Sequence, residues 1–308
     1  MACTVGVLGA CNVDLIAYVP RLPTEGETLK GSSFEQGFGG KGANQAVQAQ
    51  LLGADTIFIS KIGDDSYGKQ YREKLCSYNI NDEFIFTDST LSTGLAPIAV
   101  DEKGNNSIII IPGANDTLTS DELLKAKDAI KDCKVFVVQL ELPLEINQEA
   151  LKLAHSLGVK TILNTAPAPN KPLPESIYQY VDILCANQPE LEMLTQLPAS
   201  TREEAEIAAK KIISFGASQV LITLGAQGCL LITKSSENIF VEGKKVNAID
   251  TSGAGDSFIG AFAYFYSKGD DLQQSMEKAN YVAAQSVTKK GTQSSYSSRE
   301  NLPKEFFE

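Results

Sequence analysis

The feature that most constrains the fold is a regular alternation of short apolar segments with amphipathic segments, from Thr56 to Thr223. The short segments are continuous apolar runs, typical of strands buried on both faces, and the longer ones show the periodicity of helices. Strands that alternate with helices form a parallel sheet covered by helices on both faces. The predicted strands are 56–62, 135–140, 161–164, 183–186 and 220–223, and the predicted helices are 66–77, 120–131, 145–157 and 201–214.

Polar residues follow the predicted strands. An apolar first strand, 4–9, precedes Asn12-Val13-Asp14, whose two polar side chains point the same way on an extended chain and could hydrogen-bond neighbouring hydroxyls. Ligands of open parallel sheets bind at such strand ends. An Asx turn after the first strand, or a helix cap at Asn187, would explain single cases equally well. The other polar strand ends are Glu141, Asn164, Asn187 with Glu190, and Thr223-Leu224-Gly225-Ala226-Gln227-Gly228.

Two stretches outside this alternation have extended character and turn residues. Residues 15–36 contain prolines and a glycine, and residues 93–111 contain two apolar runs joined by a polar turn at 101–106. Together they predict a small sheet that projects from the main body as a lid. The α/β domain then comprises residues 1–14, 37–92 and 112–308.

A glycine-rich segment, Gly37-Phe38-Gly39-Gly40-Lys41-Gly42-Ala43-Asn44-Gln45, opens a predicted helix. It matches G-x-G-x-x-G, but it follows a polar, irregular stretch instead of the first core strand, which argues against dinucleotide binding. We expect the glycines to bring backbone close to a polar ligand, with Lys41 and Asn44 as donors. A solvated loop lysine is the alternative for Lys41.

A second glycine segment, Asp250-Thr251-Ser252-Gly253-Ala254-Gly255-Asp256, precedes a run whose apolar periodicity predicts a helix. The first turn of a helix has N–H groups without intrahelical partners, and Gly253, Ala254 and Gly255 leave them open to an anion. Asp256 beside them could accept a proton from an attacking hydroxyl. This pairing suits phosphoryl transfer, although a simple strand-to-helix turn would have the same composition.

Composition and charge exclude several classes of protein. The net charge of −11 argues against binding to nucleic acid or anionic membranes as the main activity. The N-terminal segment resembles neither a signal peptide nor a membrane span, so we expect a cytoplasmic protein, with nuclear presence also allowed. The six cysteines, Cys3 among them, form no C-x-x-C pair and are expected to be reduced thiols. His155 is expected to have no catalytic role.

The two glycine motifs, with Asn12-Val13-Asp14 upstream and Asn187-Gln188-Pro189-Glu190 between them, resemble the ribokinase/PfkB family of carbohydrate kinases over essentially the whole chain. The resemblance implies a Rossmann-like ribokinase fold with a β-sheet lid that is also the contact of a homodimer. It implies that Asp256 deprotonates the 5-hydroxyl of D-ribose, which ATP then phosphorylates. Kinases for fructose, 2-deoxyribose or a nucleoside such as adenosine remain alternatives, as does a sugar sensor without catalysis.

The resemblance also implies binding residues. Sugar would lie between Asn12, Asp14, Gly40, Lys41, Gly42, Asn44, Glu141 and Asp256, with the amides of Gly253, Ala254 and Gly255 as anion hole. ATP would bind Asn187, the Thr223–Gly228 loop, Gly255 and Asn280, and Glu190 would organise Mg²⁺ largely through water. An activating K⁺ would be held by Asp250, Ser252, Ser286, Lys289, Gly291 and Ser295, mostly through carbonyl oxygens.

Overall fold

The structure is a computed structural model that describes residues 4–234 and 238–308. Its strands belong to a large sheet and a small one. In chain order they are β1 (Thr4–Leu8), β2 (Asn12–Tyr18), β3 (Ser33–Gly39), β4 (Asp55–Gly63), β5 (Ile85–Asp88), β6 (Gly94–Val100), β7 (Asn106–Ile108), β8 (Val135–Val138), β9 (Lys160–Asn164), β10 (Ile183–Asn187), β11 (Gln219–Thr223), β12 (Gly228–Thr233) and β13 (Ile239–Glu242).

The large sheet has nine strands in the order β13-β12-β11-β10-β9-β8-β1-β4-β5. From β5 across to β11 all neighbours are parallel, and β12 and β13 add an antiparallel edge. The predicted α/β class with a mainly parallel sheet is confirmed. Strands β5, β12 and β13 were not predicted, because β5 is only 4 residues long and β12 begins at Gly228, inside the segment interpreted as a ligand loop.

Helices cover both faces of the large sheet, and each face has its own hydrophobic cluster. Val5 and Val7 of β1 face the first cluster, and Leu8 faces the second, as expected for a strand buried on both sides. The first cluster contains residues of α1, α2, α8 and α9, and the second those of α3 to α7, with these bounds: α1 (Lys41–Leu52), α2 (Ser66–Ser77), α3 (Ser120–Lys125), α4 (Lys127–Asp132), α5 (Leu144–Ser156), α6 (Gln188–Thr195), α7 (Arg202–Phe215), α8 (Ala254–Lys268) and α9 (Leu272–Ser286).

One predicted helix is wrong in its extent. The single helix expected over 120–131 is divided into α3 and α4 at Ala126, whose N–H bonds to the carbonyl of Leu123, three residues back. This tightened turn keeps both Leu123 and Ile130 in the core, which periodicity alone does not distinguish from a continuous helix. None of the helices in the two described segments has both the length and the apolar character needed to cross a bilayer.

The small sheet has the order β3-β2-β6-β7, with β2 and β6 parallel and the other pairs antiparallel. Its strands extend further into the chain than the segments 15–36 and 93–111, since β2 begins at Asn12 and β3 ends at Gly39. Asn12 and Asp14 therefore lie on a strand of the small sheet, not at the end of β1. This sheet leaves the main body at the edge where the candidate site is found.

The cysteines that the structure describes are free thiols. Cys11, Cys133, Cys185 and Cys229 are buried and Cys76 is exposed, whereas Cys3 lies outside the described residues. His155 lies in the last turn of α5, with its ring against that of Tyr180.

Candidate active site

The site lies where the strand order of the large sheet reverses. From β1 the chain continues to β4 on one side, whereas β8 leads to β9 on the other. A crevice opens at such a switch point, outside the carboxyl ends of the strands. Asn12 follows β1 and Glu141 follows β8, and Nδ2 of Asn12 donates to Oε1 of Glu141 at 3.2 Å. Next to them, a cavity of about 230 Å³ is lined by Lys41, Asn164, Asn187, Glu190, Thr223, Thr251 and residues 253–256, among others.

One end of the crevice, at Lys41, lies beside two carboxylates, those of Glu141 and Asp14. Oε2 of Glu141 accepts the backbone N–H of Lys41 at 2.5 Å, and burial raises the pKa of Glu141 to about 7 although Lys41 lowers it. Burial raises the pKa of Asp14 to about 6. The carboxylate of Asp256, followed by that of Glu141, raises the pKa of Lys41. This end can therefore offer carboxylate acceptors and an ammonium donor to a polyhydroxylated ligand.

Gly40 permits the close approach of the glycine motif to the end of β1. Its φ is +91°, and a Cβ built on it would lie 2.4 Å from the carbonyl oxygen of Ala10. Only glycine meets both conditions without strain. Gly37 and Gly39 are residues of β3, so the G-x-G-x-x-G pattern does not form the turn after a core strand. Helix α1 consequently starts directly over the crevice, with Lys41 as its first residue.

Asp256 lies in the first turn of α8 and lines the crevice, with 6% of its surface exposed. Each carboxylate oxygen accepts one side-chain amide from α1. Nδ2 of Asn44 donates to Oδ2 at 2.9 Å, and Nε2 of Gln45 donates to Oδ1 at 2.9 Å. Since a carboxylate oxygen accepts more than one hydrogen bond, positions on Asp256 remain for a hydroxyl in the crevice.

The start of α8 presents backbone N–H groups to the same crevice. Gly253 is the N-cap with φ +71°, and its carbonyl accepts the hydroxyl of Tyr296 at 3.0 Å. The N–H of Ala254 makes a long bond of 3.3 Å to the carbonyl of Thr251. For the N–H groups of Gly255 and Asp256, residues 4–234 and 238–308 provide no acceptor. Open donors at a helix N-terminus favour an anion here.

At the other end of the crevice, Asn187 and Glu190 form a capping box at the start of α6. Oε2 of Glu190 accepts the N–H of Asn187 at 3.0 Å and the hydroxyl of Thr165 at 3.2 Å, and burial raises the pKa of Glu190. Asn187 is thus both a helix cap and a residue of the crevice. The turn Gly225–Gln227 is exposed between β11 and β12, and Nδ2 of Asn280 reaches the carbonyl of Val241 on β13 at 3.4 Å.

The residues expected to hold K⁺ lie where the segment before α8 meets the segment after α9. Oδ1 of Asp250 accepts the N–H of Ser252 at 2.9 Å, and Oδ2 accepts the N–H of Gly291 at 2.8 Å. Burial would raise the pKa of Asp250, but these N–H groups lower it on balance. The amide of Lys289 bonds the carbonyl of Ser286 at 3.2 Å, and Ser295 is buried beside Thr292. These bonds join the two segments through N–H groups of the protein itself.

Several residues of the site were missed by sequence analysis. Gln45, Gln139 and Gln293 are buried and bond to Asp256 or to the groups that hold it. Gln45 is the last residue of the first glycine-rich segment, and a glutamine among the small apolar residues of the helix that follows is a signal that could have singled it out. Asn164, noticed only as a polar strand end, accepts from Gln45 at 3.0 Å.

The chain is similar to known proteins over almost its whole length. The model of the pfkB family carbohydrate kinases matches residues 4–299. A deoxyribokinase of Salmonella typhi is 40% identical over 298 residues, which cover 97% of each chain. A ribokinase of Mus musculus is 41% identical over 99% of this chain and 95% of its own. The structure of the Arabidopsis thaliana ribokinase complexed with ribose and ATP superposes with a TM-score of 0.93 at 31% identity, covering 100% of this chain and 99% of that one. The protein therefore belongs to the pfkB family of carbohydrate kinases.

Proposed function

We propose that this sugar kinase transfers the terminal phosphoryl group of ATP to the 5-hydroxyl of D-ribose, giving D-ribose 5-phosphate and ADP. The observation that carries the proposal is the meeting of the Asp256 carboxylate with the open N–H groups of Gly255 and Asp256 in one crevice. A relative of known structure, the ribokinase of Arabidopsis thaliana, holds ribose and ATP.

Asp256 is the proposed general base. As the hydroxyl attacks phosphorus, its proton passes to the free lone pairs of this carboxylate. Negative charge on the transferring group is then stabilised by the proposed anion hole of Gly253, Ala254 and Gly255, in which the N–H of Gly255 is open and that of Ala254 exchanges its long bond to Thr251 for the phosphoryl oxygen. Fixed donors of this kind need no reorganisation at the moment of reaction, and phosphoryl transfer depends mainly on such positioning and charge stabilisation.

The sugar is proposed to lie between the carboxylates at the switch point and the start of α1. Asp14 and Glu141 would accept hydrogen bonds from its hydroxyls, and the ammonium of Lys41 would donate. Asn44 has one amide hydrogen left after its bond to Asp256, and Gly40 and Gly42 would let the sugar lie against backbone. Asn12, held by Glu141 and by Nδ2 of Asn115 at 3.0 Å, completes the proposed set.

ATP is proposed to bind along Asn187, the segment from Thr223 through Leu224, Gly225, Ala226 and Gln227 to Gly228, and Asn280, with its last phosphate at Gly255. Both oxygens of Glu190 already accept hydrogen bonds within the protein. We therefore propose that Glu190 acts on Mg²⁺ through water. Mg²⁺ would neutralise phosphate charge in this site.

The proposed K⁺ site consists of Asp250, Ser252, Ser286, Lys289, Gly291 and Ser295. Its support is the contact of Asp250 with both Ser252 and Gly291, which ties the two segments together just before the anion hole. A cation held there would add positive charge beside the start of α8. We expect turnover to increase when K⁺ replaces Na⁺.

The small sheet is proposed to be both a lid and the contact of a homodimer. Residues 15–36 and 93–111, with the strand ends beyond them, would cover the sugar. Support for a dimer comes from large apolar side chains that the sheet exposes: Phe34, Ile108, Ile109, Ile110 and Ile111. Sedimentation velocity should show a dimer for the natural chain and a monomer for Ile109→Lys, and a monomeric natural chain would contradict this contact.

The 2-deoxyribose alternative has a specific observation in its favour, the 40% identity to a deoxyribokinase. Release of ADP, measured over a panel of pentoses, hexoses and nucleosides with and without K⁺, tests both substrates. We expect kcat/KM to be highest with ribose, and a higher value with 2-deoxyribose would reverse the assignment. Absence of ADP release with every sugar would favour a sugar sensor without catalysis.

Asp256→Asn should lower kcat about 10²–10⁴-fold, and near-normal turnover in this variant would show that Asp256 is not the general base.

A further inference from the structure

A line of buried amide side chains leads from the sheet to the carboxylate of Asp256. Nε2 of Gln139 donates to Oε1 of Gln45 at 2.7 Å. Nε2 of Gln45 in turn donates to Oδ1 of Asp256 at 2.9 Å and to Oδ1 of Asn164 at 3.0 Å. Gln45 and Gln139 are 0% and 1% exposed. All the hydrogen-bonding groups of the Gln45 side chain are therefore occupied by the protein itself.

The bond from Gln139 agrees with the orientation that Asp256, a pure acceptor, requires of the Gln45 amide, and it holds the Gln45 oxygen on the side away from the carboxylate. If that amide turned by 180°, its oxygen would face an oxygen of Asp256, and its NH₂ group would face the NH₂ group of Gln139. Both contacts would be repulsive in a buried site where unpaired polar groups are costly. Gln139 thus acts on Asp256 through Gln45 without touching it.

The close packing of α1 against α8 makes these bonds short. A Cβ built on Gly260 would lie 2.5 Å from the carbonyl oxygen of Gln45 and 2.9 Å from Cβ of Gln48. Asp256 is one helical turn before Gly260, so it lies on the same face of α8. The missing side chain at Gly260 therefore brings Asp256 within reach of α1.

We propose that Gln45 is a positioning residue for phosphoryl transfer, and that Gln139 supports it. On the proposed function, in which Asp256 is the base, Gln45 occupies one side of Oδ1 and Asn44 one side of Oδ2. The remaining lone pairs are thereby aimed at the crevice, where the attacking hydroxyl lies. Gln45 itself does not contact substrate.

Gln48 offers a matched control on the same helix. It is also fully buried, and it also bonds to α8, accepting the hydroxyl of Ser257 at 2.9 Å and donating to the carbonyl of Ser297 at 3.0 Å. It has no bond to Asp256. Replacement of either glutamine by methionine removes a buried amide of similar size from the same interface, so the structural costs should be comparable.

The test compares Gln45→Met with Gln48→Met in kcat, in KM for sugar and for ATP, and in melting temperature. Gln45→Met should lower kcat roughly 10–100-fold, because the carboxylate of Asp256, displaced by a fraction of an ångström, no longer meets the attacking hydroxyl of the sugar. The KM values for sugar and for ATP should both stay within about twofold. In Gln48→Met the melting temperature should fall by about as much as in Gln45→Met, but kcat should stay within about twofold of that of the natural chain. Equal kcat in the two variants would overturn the proposal.

Gln139→Met keeps the contact between Gln45 and Asp256, and it provides a second measurement if Gln45→Met does not fold. It should lower kcat roughly 3–10-fold with unchanged KM values, and in the double variant it should add no loss to that of Gln45→Met. An unaltered kcat in Gln139→Met would overturn the proposed role of Gln139. So would a loss of kcat in the double variant equal to the product of the two single losses.

A natural chain without activity on any sugar would refute the proposed function, whereas an active natural chain with an equally active Gln45→Met refutes only the positioning role.

Discussion

Replacement of Gly255 by alanine should separate activity from stability. Gly255 is the second residue of α8, and a Cβ built on it has no atom within 4 Å and no left-handed φ to strain it. Alanine at a helical position is more stable than glycine by roughly 0.5–1 kcal/mol. The melting temperature should therefore rise by roughly 1–4 °C, as measured by calorimetry.

The same methyl group projects into the crevice beside the open N–H of Gly255, where the transferring phosphoryl group is proposed to lie. It would hold that group away from the donors. Because one such donor is typically worth 10²–10³-fold in turnover, kcat/KM in an ADP-release assay should fall by roughly that factor. A more stable protein with much lower activity is the expected result.

Gly260→Ala is the control, since it makes the same substitution on the same helix. There the new Cβ would lie 2.5 Å from the carbonyl oxygen of Gln45, so overpacking should lower stability by roughly 1–3 kcal/mol despite the equal gain in helix propensity. Wild-type kcat/KM in Gly255→Ala would refute the assignment of the anion hole. A loss of stability in Gly255→Ala would contradict the finding that a Cβ at this position meets no other atom.

Three further outcomes are expected. Asp14→Asn should raise the free energy of unfolding by roughly 1–2 kcal/mol at pH 8 but hardly at pH 4 in urea titrations, because the pKa of Asp14 is raised to about 6 and the folded state loses stability as pH rises through it. The KM for sugar in the natural chain should rise as the pH falls, first near pH 7, where Glu141 becomes protonated, and again near pH 6, where Asp14 does; Asp14→Asn should remove only the second rise. Lys61→Met should cost roughly 3 kcal/mol, because it leaves Glu122 without its partner at 3.0 Å, whereas the exposed control Lys210→Met should cost at most about 0.5 kcal/mol.

The class of fold could be predicted because it depends on local periodicity. Continuous apolar strands alternating with amphipathic helices can bury their surfaces only in a parallel sheet covered on both faces. The antiparallel edge formed by β12 and β13 could not be predicted in this way. Its first strand follows β11 after a turn of a few residues, and the glycines of that turn are compatible with a ligand loop or a hairpin.

The place of the site could be predicted for a related reason. Parallel strands deliver their carboxyl ends to one edge, so Glu141, Asn164 and Asn187 had to lie on the same side of the sheet. Asn12 and Asp14 were assigned to the end of the first strand, but they belong to β2 of the small sheet. Extended residues at that point are compatible with either sheet, because pairing partners are not encoded in a single strand.

The sequence by itself determined the layered architecture and the local chemistry of the two glycine motifs, since each arises from residues within one or two turns of each other. Only the tertiary structure decided which groups hold Asp256. Asn44 and Gln45 are 212 and 211 residues away along the chain, and they reach its carboxylate only because α1 and α8 pack closely at Gly260. Local periodicity shows that a helix has a buried face, but which polar atoms meet across two such faces depends on the packing of the whole core.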